Sequence, residues 1–458
     1  MRRLLGLLPP GTVAVGSGLV VLGLASYVHI SIASHTLGSH GYGAFAVLWA
    51  IVFTIGLGLF FPIEQEVTRI IAGRRVNGDG NASAFRRGAI LSLILFLIVC
   101  VLLAAFTPLI AEKLFNGERD LVPVMAGGFA GLALAYPTRG VLAGTGRFGA
   151  YGAQLGIDGG LRIVMAAVLG VLGVKSAVMF GLILLVAPVI SVIATAPAIR
   201  AALTPGSPLA WPAFGRRVAP LMASTLLAQV VVNIAVINAK LLAPHADALT
   251  GALLSALTLV RIPLFVFGSL QASLLPGLSA AAATGDRPGF RKLLLRACGI
   301  VLALAVAGGV PAIVFGPWLL RLLFATGGVL GDIDFAVLAV GTAAYLLAQV
   351  LGQAAMALGH HRDQTLAWLG GTVALAAVTA LPMDVKLRVE WAYTVGSVVV
   401  ALILVVAVSR RTNRQAAADR AAPAAAGRPV GTLGDDAGTG PAADQTMAPA
   451  PAWPQPSR

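Results

Sequence analysis

The chain is a succession of apolar runs, most of them about 20 residues or longer, separated by short polar connections. Runs of that length exceed a barrel strand and match the thickness of a bilayer as helices. Lipid offers no water to satisfy backbone groups, so a spanning segment must satisfy its own, as a helix does. Twelve helices are predicted, near 11–34, 42–65, 88–111, 121–144, 149–173, 175–198, 218–243, 249–277, 293–316, 334–358, 364–383 and 388–409. Composition agrees: 58% of residues are hydrophobic and 11% charged, where a soluble domain has roughly 45–50% and 25%. The expected class is an all-α integral membrane protein.

Two segments repeat. Residues 85–115 (FRRGAILSLILFLIVCVLLAAFTPLIAEKLF) and 290–324 (FRKLLLRACGIVLALAVAGGVPAIVFGPWLLRLLF) each open with Phe and two basic residues. Each then continues as an apolar span holding one Cys and closes on Leu-Phe. Six helices per half is an even number, so both halves enter the membrane in the same orientation, as parallel repeats. The expected organisation is an N-terminal six-helix lobe (1–210), a C-terminal six-helix lobe (211–409) and a tail (410–458) with the substrate path between the lobes. From about Arg410 the sequence is Ala, Pro, Gly and scattered charge, too poor in large apolar residues to offset its ordering entropy, so a disordered cytoplasmic tail is expected.

The net charge of +14 raises the question of nucleic acid, which the distribution of basic residues answers. If Met1 is cytoplasmic, twenty Lys and Arg fall on the cytoplasmic side, among them Arg74, Arg75, Arg86, Arg87, Arg139 and Arg217. Seven fall opposite: Lys113, Arg119, Lys175, Lys240, Arg321, Lys386 and Arg388. That is the positive-inside bias, so both termini are cytoplasmic and no nucleic acid is implied. The first apolar run is too long for a signal-peptide core. Cys100 and Cys298 both lie within predicted spans and define no disulfide framework.

Polar residues inside spans carry the functional signal, since a mid-bilayer charge costs about 2.5–3.5 kcal/mol on insertion scales. Gln154, Asp158 and Arg162 recur every four residues, on one face of the fifth helix. Asp158 stands N-terminal to Arg162, the favourable order for an ion pair. This is a proton or cation relay, an anion contact that opens when substrate binds, or a neutralised structural pair. Arg261 has no acid within a turn on the eighth helix and is followed by Pro263, which should kink that helix. A planar guanidinium at that depth suits an anionic ligand such as phosphate, or else pairs with a distant acid or with freed carbonyls. Glu64, with Glu66 and Arg69 near the end of the second helix, is a coupling or gating candidate against a plain salt-bridged face. His29 and Tyr27, with Gln229, Asn233 and Asn238, either line the same cavity or form interhelical hydrogen bonds.

LGSHGYGAFAVLWAI at 37–51 resembles the entry signature of polysaccharide flippases in the multidrug/oligosaccharidyl-lipid/polysaccharide (MOP) exporter superfamily. LLAPHADALTGALLSALTLVRIPLFVFGSLQASLLPGLSA at 241–280 resembles the matching part of their second lobe. The likeness spans about 10–410 and implies a MOP/MATE-like fold that moves a polyprenyl-linked saccharide across the bacterial cytoplasmic membrane for envelope polysaccharide synthesis. By that resemblance Arg261 matches a cavity arginine of the peptidoglycan-precursor flippases. Those relatives also place arginines on their first two helices, and here the first has none at depth, which favours another envelope glycan. Their sodium site draws carboxylates from helices seven and eleven. Here helix seven offers Asn233 and Asn238, and Asp363 only begins helix eleven, so the coupling cation, H+ or Na+, stays open.

The expected mechanism is alternating access: two lobes rock about a central cavity, Arg261 holds the phosphate, and the prenyl tail stays in lipid. Gln154, Asp158, Arg162, Asn233 and His29 complete the candidate substrate set, and Asp158 and Glu64 the coupling set. No HExxH, GxSxG or Walker loop occurs, and every loop is short, so no enzyme and no cofactor is expected. The alternatives are a cation-coupled multidrug antiporter using Asp158 and a non-transporting scaffold of envelope assembly. Expected partners are the polyprenyl-linked glycan, membrane lipid, and glycosyltransferases or a polymerase of the same pathway.

Overall fold

The computed structural model describes residues 12–425, except 265–266, 268–273, 275–276, 280, 283 and 359–360. The described elements are helices: α1 (Thr12–Val76), α2 (Ala82–Ala105), α3 (Thr107–Leu114), α4 (Leu121–Gly144), α5 (Phe148–Val171) and α6 (Ala177–Ala202). They continue with α7 (Trp211–Leu242), α8 (Asp247–Val260), α9 (Arg287–Phe324), α10 (Asp332–Ala357), α11 (His361–Thr379) and α12 (Val385–Ala425). Among the described residues no strand occurs, and nine of these helices are long and apolar enough to cross a membrane.

The 65 residues of α1 are two helices that meet at Gly38 (φ 67°, ψ 174°). That backbone conformation is open essentially to glycine alone, and a Cβ there would meet no atom within 4 Å. The two expected N-terminal spans are therefore joined by one residue rather than a loop. The kink expected in the eighth span is present: α8 stops at Val260, Arg261 forms a turn and 262–264 are helical again, because Pro263 lacks an N–H and its ring crowds the carbonyl one turn back. The helix α12 extends to Ala425. Residues 426–458 of the expected tail lie outside the described residues.

The helix α1 is the hub of the bundle. It packs on α4, α5 and α6 and also on α7, α8 and α9. Against α5 the backbones nearly touch: a Cβ at Gly152 would lie 2.1 Å from the Ala14 carbonyl oxygen, and one at Gly159 2.8 Å from the Leu22 Cα. In lipid, where apolar side chains gain little by leaving the solvent, such close backbone approach is what holds helices together. Elsewhere a hydroxyl repairs a broken helix. Pro137 cannot donate to the Ala133 carbonyl one turn back, and Ser92 Oγ on α2 does so instead at 2.7 Å.

At the Val76 end, the turn between α1 and α2 is stitched to the segment after α6. Asn81 donates to the Ala202 carbonyl (2.8 Å) and accepts from Thr204 N–H (2.9 Å), while Arg74 spans Gly80, Ser83 and Ser207. The hydroxyl of Ser207, then its N–H, holds the Asp79 carboxyl below its ordinary range. A carboxyl with a depressed folded-state pKa stabilises above its unfolded value and loses that contribution as pH falls through the folded one, so this stitch loosens in acid.

Gly38→Ala should lower stability by about 1–3 kcal/mol, read as an earlier thermal transition of the purified protein. Gly149→Ala, in a helical position with open space around it, should leave the transition unchanged or raise it. Equal effects would contradict the special backbone demand at Gly38.

Candidate functional site

Two clusters of buried polar side chains stand out. In the first, the expected stripe on α5 is fully enclosed: Gln154, Asp158 and Arg162 are 0%, 0% and 3% exposed. Arg162 Nε donates to Asp158 Oδ1 at 2.8 Å, so the ion pair read from the four-residue spacing is present. It is not self-contained. Arg139 on α4 donates to Asp158 Oδ2 at 2.7 Å, and one carboxylate is thus shared between two arginines. Gln154 donates to Thr138 Oγ1 on α4 at 3.0 Å. Glu64 on α1 accepts from Tyr151 Oη at 2.8 Å and is an electrostatic neighbour of Arg139. The group thus sets two acids against two arginines.

Expectations at these positions shift accordingly. Arg139, counted as a cytoplasmic-loop charge, is a buried helix residue. Glu64, expected near a helix end, lies three turns inside α1 because that helix runs on to Val76. Glu66 pairs with Arg69 (Nε to Oε2, 2.7 Å), the salt-bridged face expected for it. His29 is fully buried among Phe45, Trp49 and Phe180, with ring centroids at 5.3, 5.4 and 6.0 Å, and neither ring nitrogen has a hydrogen-bond partner. Tyr27 faces elsewhere: its hydroxyl donates to the Thr258 carbonyl on α8 at 2.9 Å. Residues two apart on a helix point about 200° apart, so His29 and Tyr27 do not share one cavity wall.

The second cluster surrounds Arg261. The sequence suggested an unpaired arginine; instead Nη1 donates to Asn233 Oδ1 on α7 at 3.0 Å and Nη2 to the Val232 carbonyl. The guanidinium carbon lies 5.7 Å from the ring centre of Tyr393 on α12. Asn233 is steadied in turn by Gln229 (3.2 Å), and Asn238 turns to Thr379 on α11 (3.2 Å). Tyr27 and Tyr345 are electrostatic neighbours of the guanidinium, and Nε has no partner. Among the described residues no carboxylate pairs with Arg261 to neutralise its charge.

A third polar group closes the Gly38 end. Lys240, fully buried on α7, donates to Asn116 Oδ1 (2.5 Å), Asp247 Oδ1 (2.6 Å) and the Pro244 carbonyl (2.6 Å). His40 Nδ1 lies 2.8 Å from Asp247 Oδ2. The group ties α1 and the turn after α3 to α7 and α8. In the sequence Lys240 counts only as a charge on the side opposite the cytoplasm, and nothing there singles out the site roles of Arg139, Tyr151 and Tyr393. Their partners lie on other helices, where spacing along the chain carries no signal.

No family model matches the sequence. The chain is 28% identical to an uncharacterized protein of Mycobacterium tuberculosis (strain ATCC 25618 / H37Rv) over 421 residues, covering 88% of this chain and 94% of that one. A second uncharacterized protein of that strain matches at 28% over 425 residues, covering 88% and 93%. An inward-facing multidrug resistance MATE family transporter of the MOP superfamily superposes with a TM-score of 0.69 at 16% identity, over 86% of this chain and 95% of that one. This is the MATE transporter fold. The outward-facing conformation of a MATE family transporter gives 0.65 at 15% identity, covering 88% and 94%. A MOP superfamily transporter from Pyrococcus furiosus, whose reverse pocket polarity suggests a different function, gives 0.60 at 16%, covering 88% and 94%. Within this fold one cluster matches two arginines with two acids, and the other, among the described residues, holds Arg261 with no acid.

Asp158→Ala leaves two buried arginines without a counter-charge and should destabilise by about 3–5 kcal/mol. Arg162→Ala leaves Asp158 paired with Arg139 and should cost less. Denaturant unfolding of both variants checks the order, and equal losses would contradict a shared carboxylate.

Proposed function

We propose that the chain is an alternating-access membrane transporter that flips a polyprenyl-phosphate-linked saccharide from the cytoplasmic to the outer leaflet. The observation that carries this reading is Arg261: a guanidinium inside a membrane fold, bonded among the described residues to neutral oxygens and flanked by tyrosines. A charge kept at such cost marks a ligand path. Its planar fork suits a phosphate, and the tyrosines suit the sugar next to it.

In this reading residues 1–210 and 211–409 are the two moving lobes. The Lys240–Asp247–Asn116–His40 group spans their seam, and by the positive-inside bias it faces away from the cytoplasm. It must part for the cargo to leave. The phosphate then exchanges the Asn233 and Val232 contacts of Arg261 for its own, and the prenyl chain stays in lipid. Envelope glycosyltransferases or a polymerase supply and consume the cargo.

A multidrug antiporter is the second reading, motivated by the multidrug resistance transporters of the same fold. It calls for a carboxylate open to cations, and Asp158 is engaged by two arginines. The Pyrococcus furiosus transporter, whose reverse pocket polarity suggests a different function, is a precedent for functions differing within this fold.

In proteoliposomes with a fluorescent polyprenyl-phosphate saccharide, Arg261→Ala should slow flipping about 10- to 100-fold, the loss of a charged hydrogen bond worth roughly 1.5–3 kcal/mol. Arg261→Lys keeps the charge without the fork and should fall between. Flipping unchanged in Arg261→Ala, or efflux of a cationic dye in place of flipping, would sink the proposal.

A further inference from the structure

The first turns of α10 and α12 hold a carboxylate that neither cluster above uses. Glu390 on α12 is 0% exposed, and neither of its carboxyl oxygens has a hydrogen-bond partner. The charged groups facing it are Asp334 on α10, Lys386 one turn back on its own helix, and Asp384 just before that helix. Three acids against one base leave the group two charges negative if all are ionised. An enclosed carboxylate without donors takes up a proton in preference to remaining charged.

The two buried acids are not equivalent. Asp334 Oδ2 accepts from Lys386 Nζ at 3.0 Å and from Gly331 N–H at 2.7 Å, at the head of its own helix. With a cation, a backbone donor and a helix N-terminus, Asp334 is the ionised member. Glu390 has no hydrogen-bond donor, and Lys386 reaches it only as a neighbouring charge.

We infer that Glu390 is the proton-binding site of this protein, carrying one proton that it donates toward the Asp334 carboxylate. Water takes that proton when the Gly38 end of the bundle opens and hydrates the pair. Closure returns it.

The position ties the proton to the cargo site. Glu390 and Tyr393 are three residues apart and share a face of α12. Tyr393 bonds Thr342 on α10 (2.9 Å), and its ring lies 5.7 Å from the Arg261 guanidinium carbon. The next residue, Thr394, donates to the Val337 carbonyl on α10 at 2.8 Å. A shift of α10 against α12 on proton loss therefore moves the ring beside Arg261. This link to cargo rests on the transport reading above, whereas the proton site does not.

The test has two arms. In pH-difference infrared spectra of the purified wild-type protein, a protonated carboxyl band should titrate. It should vanish in Glu390→Gln, shift in Glu390→Asp and Asp334→Asn, and persist in Glu112→Gln, an exposed control. Gln is isosteric with a neutral Glu, so the fold should survive. Coincident wild-type and Glu390→Gln spectra overturn the site. In the second arm, a pH gradient across proteoliposomes should change the flipping rate of a labelled polyprenyl-phosphate saccharide about fivefold or more in wild type and not in Glu390→Gln. The expected band with flipping indifferent to the gradient overturns the link to Arg261 and leaves the site standing. The band with no flipping at all overturns the transport reading alone.

Discussion

Asp158 is the residue the N-terminal half depends on. Two arginines from different helices meet on its two oxygens, where almost no solvent reaches any of the three. Neither arginine can be buried there without it, and it cannot be buried without them. The arrangement fixes α4 against α5, and Tyr151 extends it to Glu64 on α1. Because α1 packs on both halves of the chain, the placement of this network sets where the hub helix lies. A buried ion network is a poor source of net stability, but its demand for complete pairing admits few alternative packings.

Against that neutral network, the surroundings of Arg261 gain their meaning. The chain has the means to neutralise buried arginines and uses them at Arg139 and Arg162. At Arg261 it supplies an amide, a carbonyl and aromatic rings. Those groups hold the side chain in place without cancelling its charge, as a site for an anion requires. The same economy separates Asp334, hydrogen-bonded to Lys386, from Glu390, whose carboxyl oxygens have no donor.

The lipid-crossing architecture was legible in the sequence because run length and polarity alone decide it. Each of the twelve expected spans falls on an observed helix, with α1 supplying the first two; the ends differ most where α1 runs on to Val76, α12 to Ala425, and α8 breaks at Arg261. The pairing of Asp158 with Arg162 was legible too, since four residues is one helical turn. What spacing could not reveal were partners on other helices: Arg139 lies 19 residues from Asp158 along the chain, and Asn233 lies 28 from Arg261. Gly38 was hidden for another reason. A single glycine in a positive-φ conformation does the work of a loop, and apolar periodicity is blind to that. Glu390 escaped notice because it sits just inside a span end, where a solvated carboxylate is the ordinary outcome.

The central claim is that an unneutralised guanidinium selects an anionic head group. Its most direct test is binding of polyprenyl phosphate and of the uncharged polyprenol to the purified protein, followed by tryptophan fluorescence at increasing salt. Polyprenyl phosphate should bind more tightly, with an advantage that shrinks as salt rises and disappears in Arg261→Ala. Equal binding of the two lipids, or an advantage that survives loss of Arg261, would contradict the account.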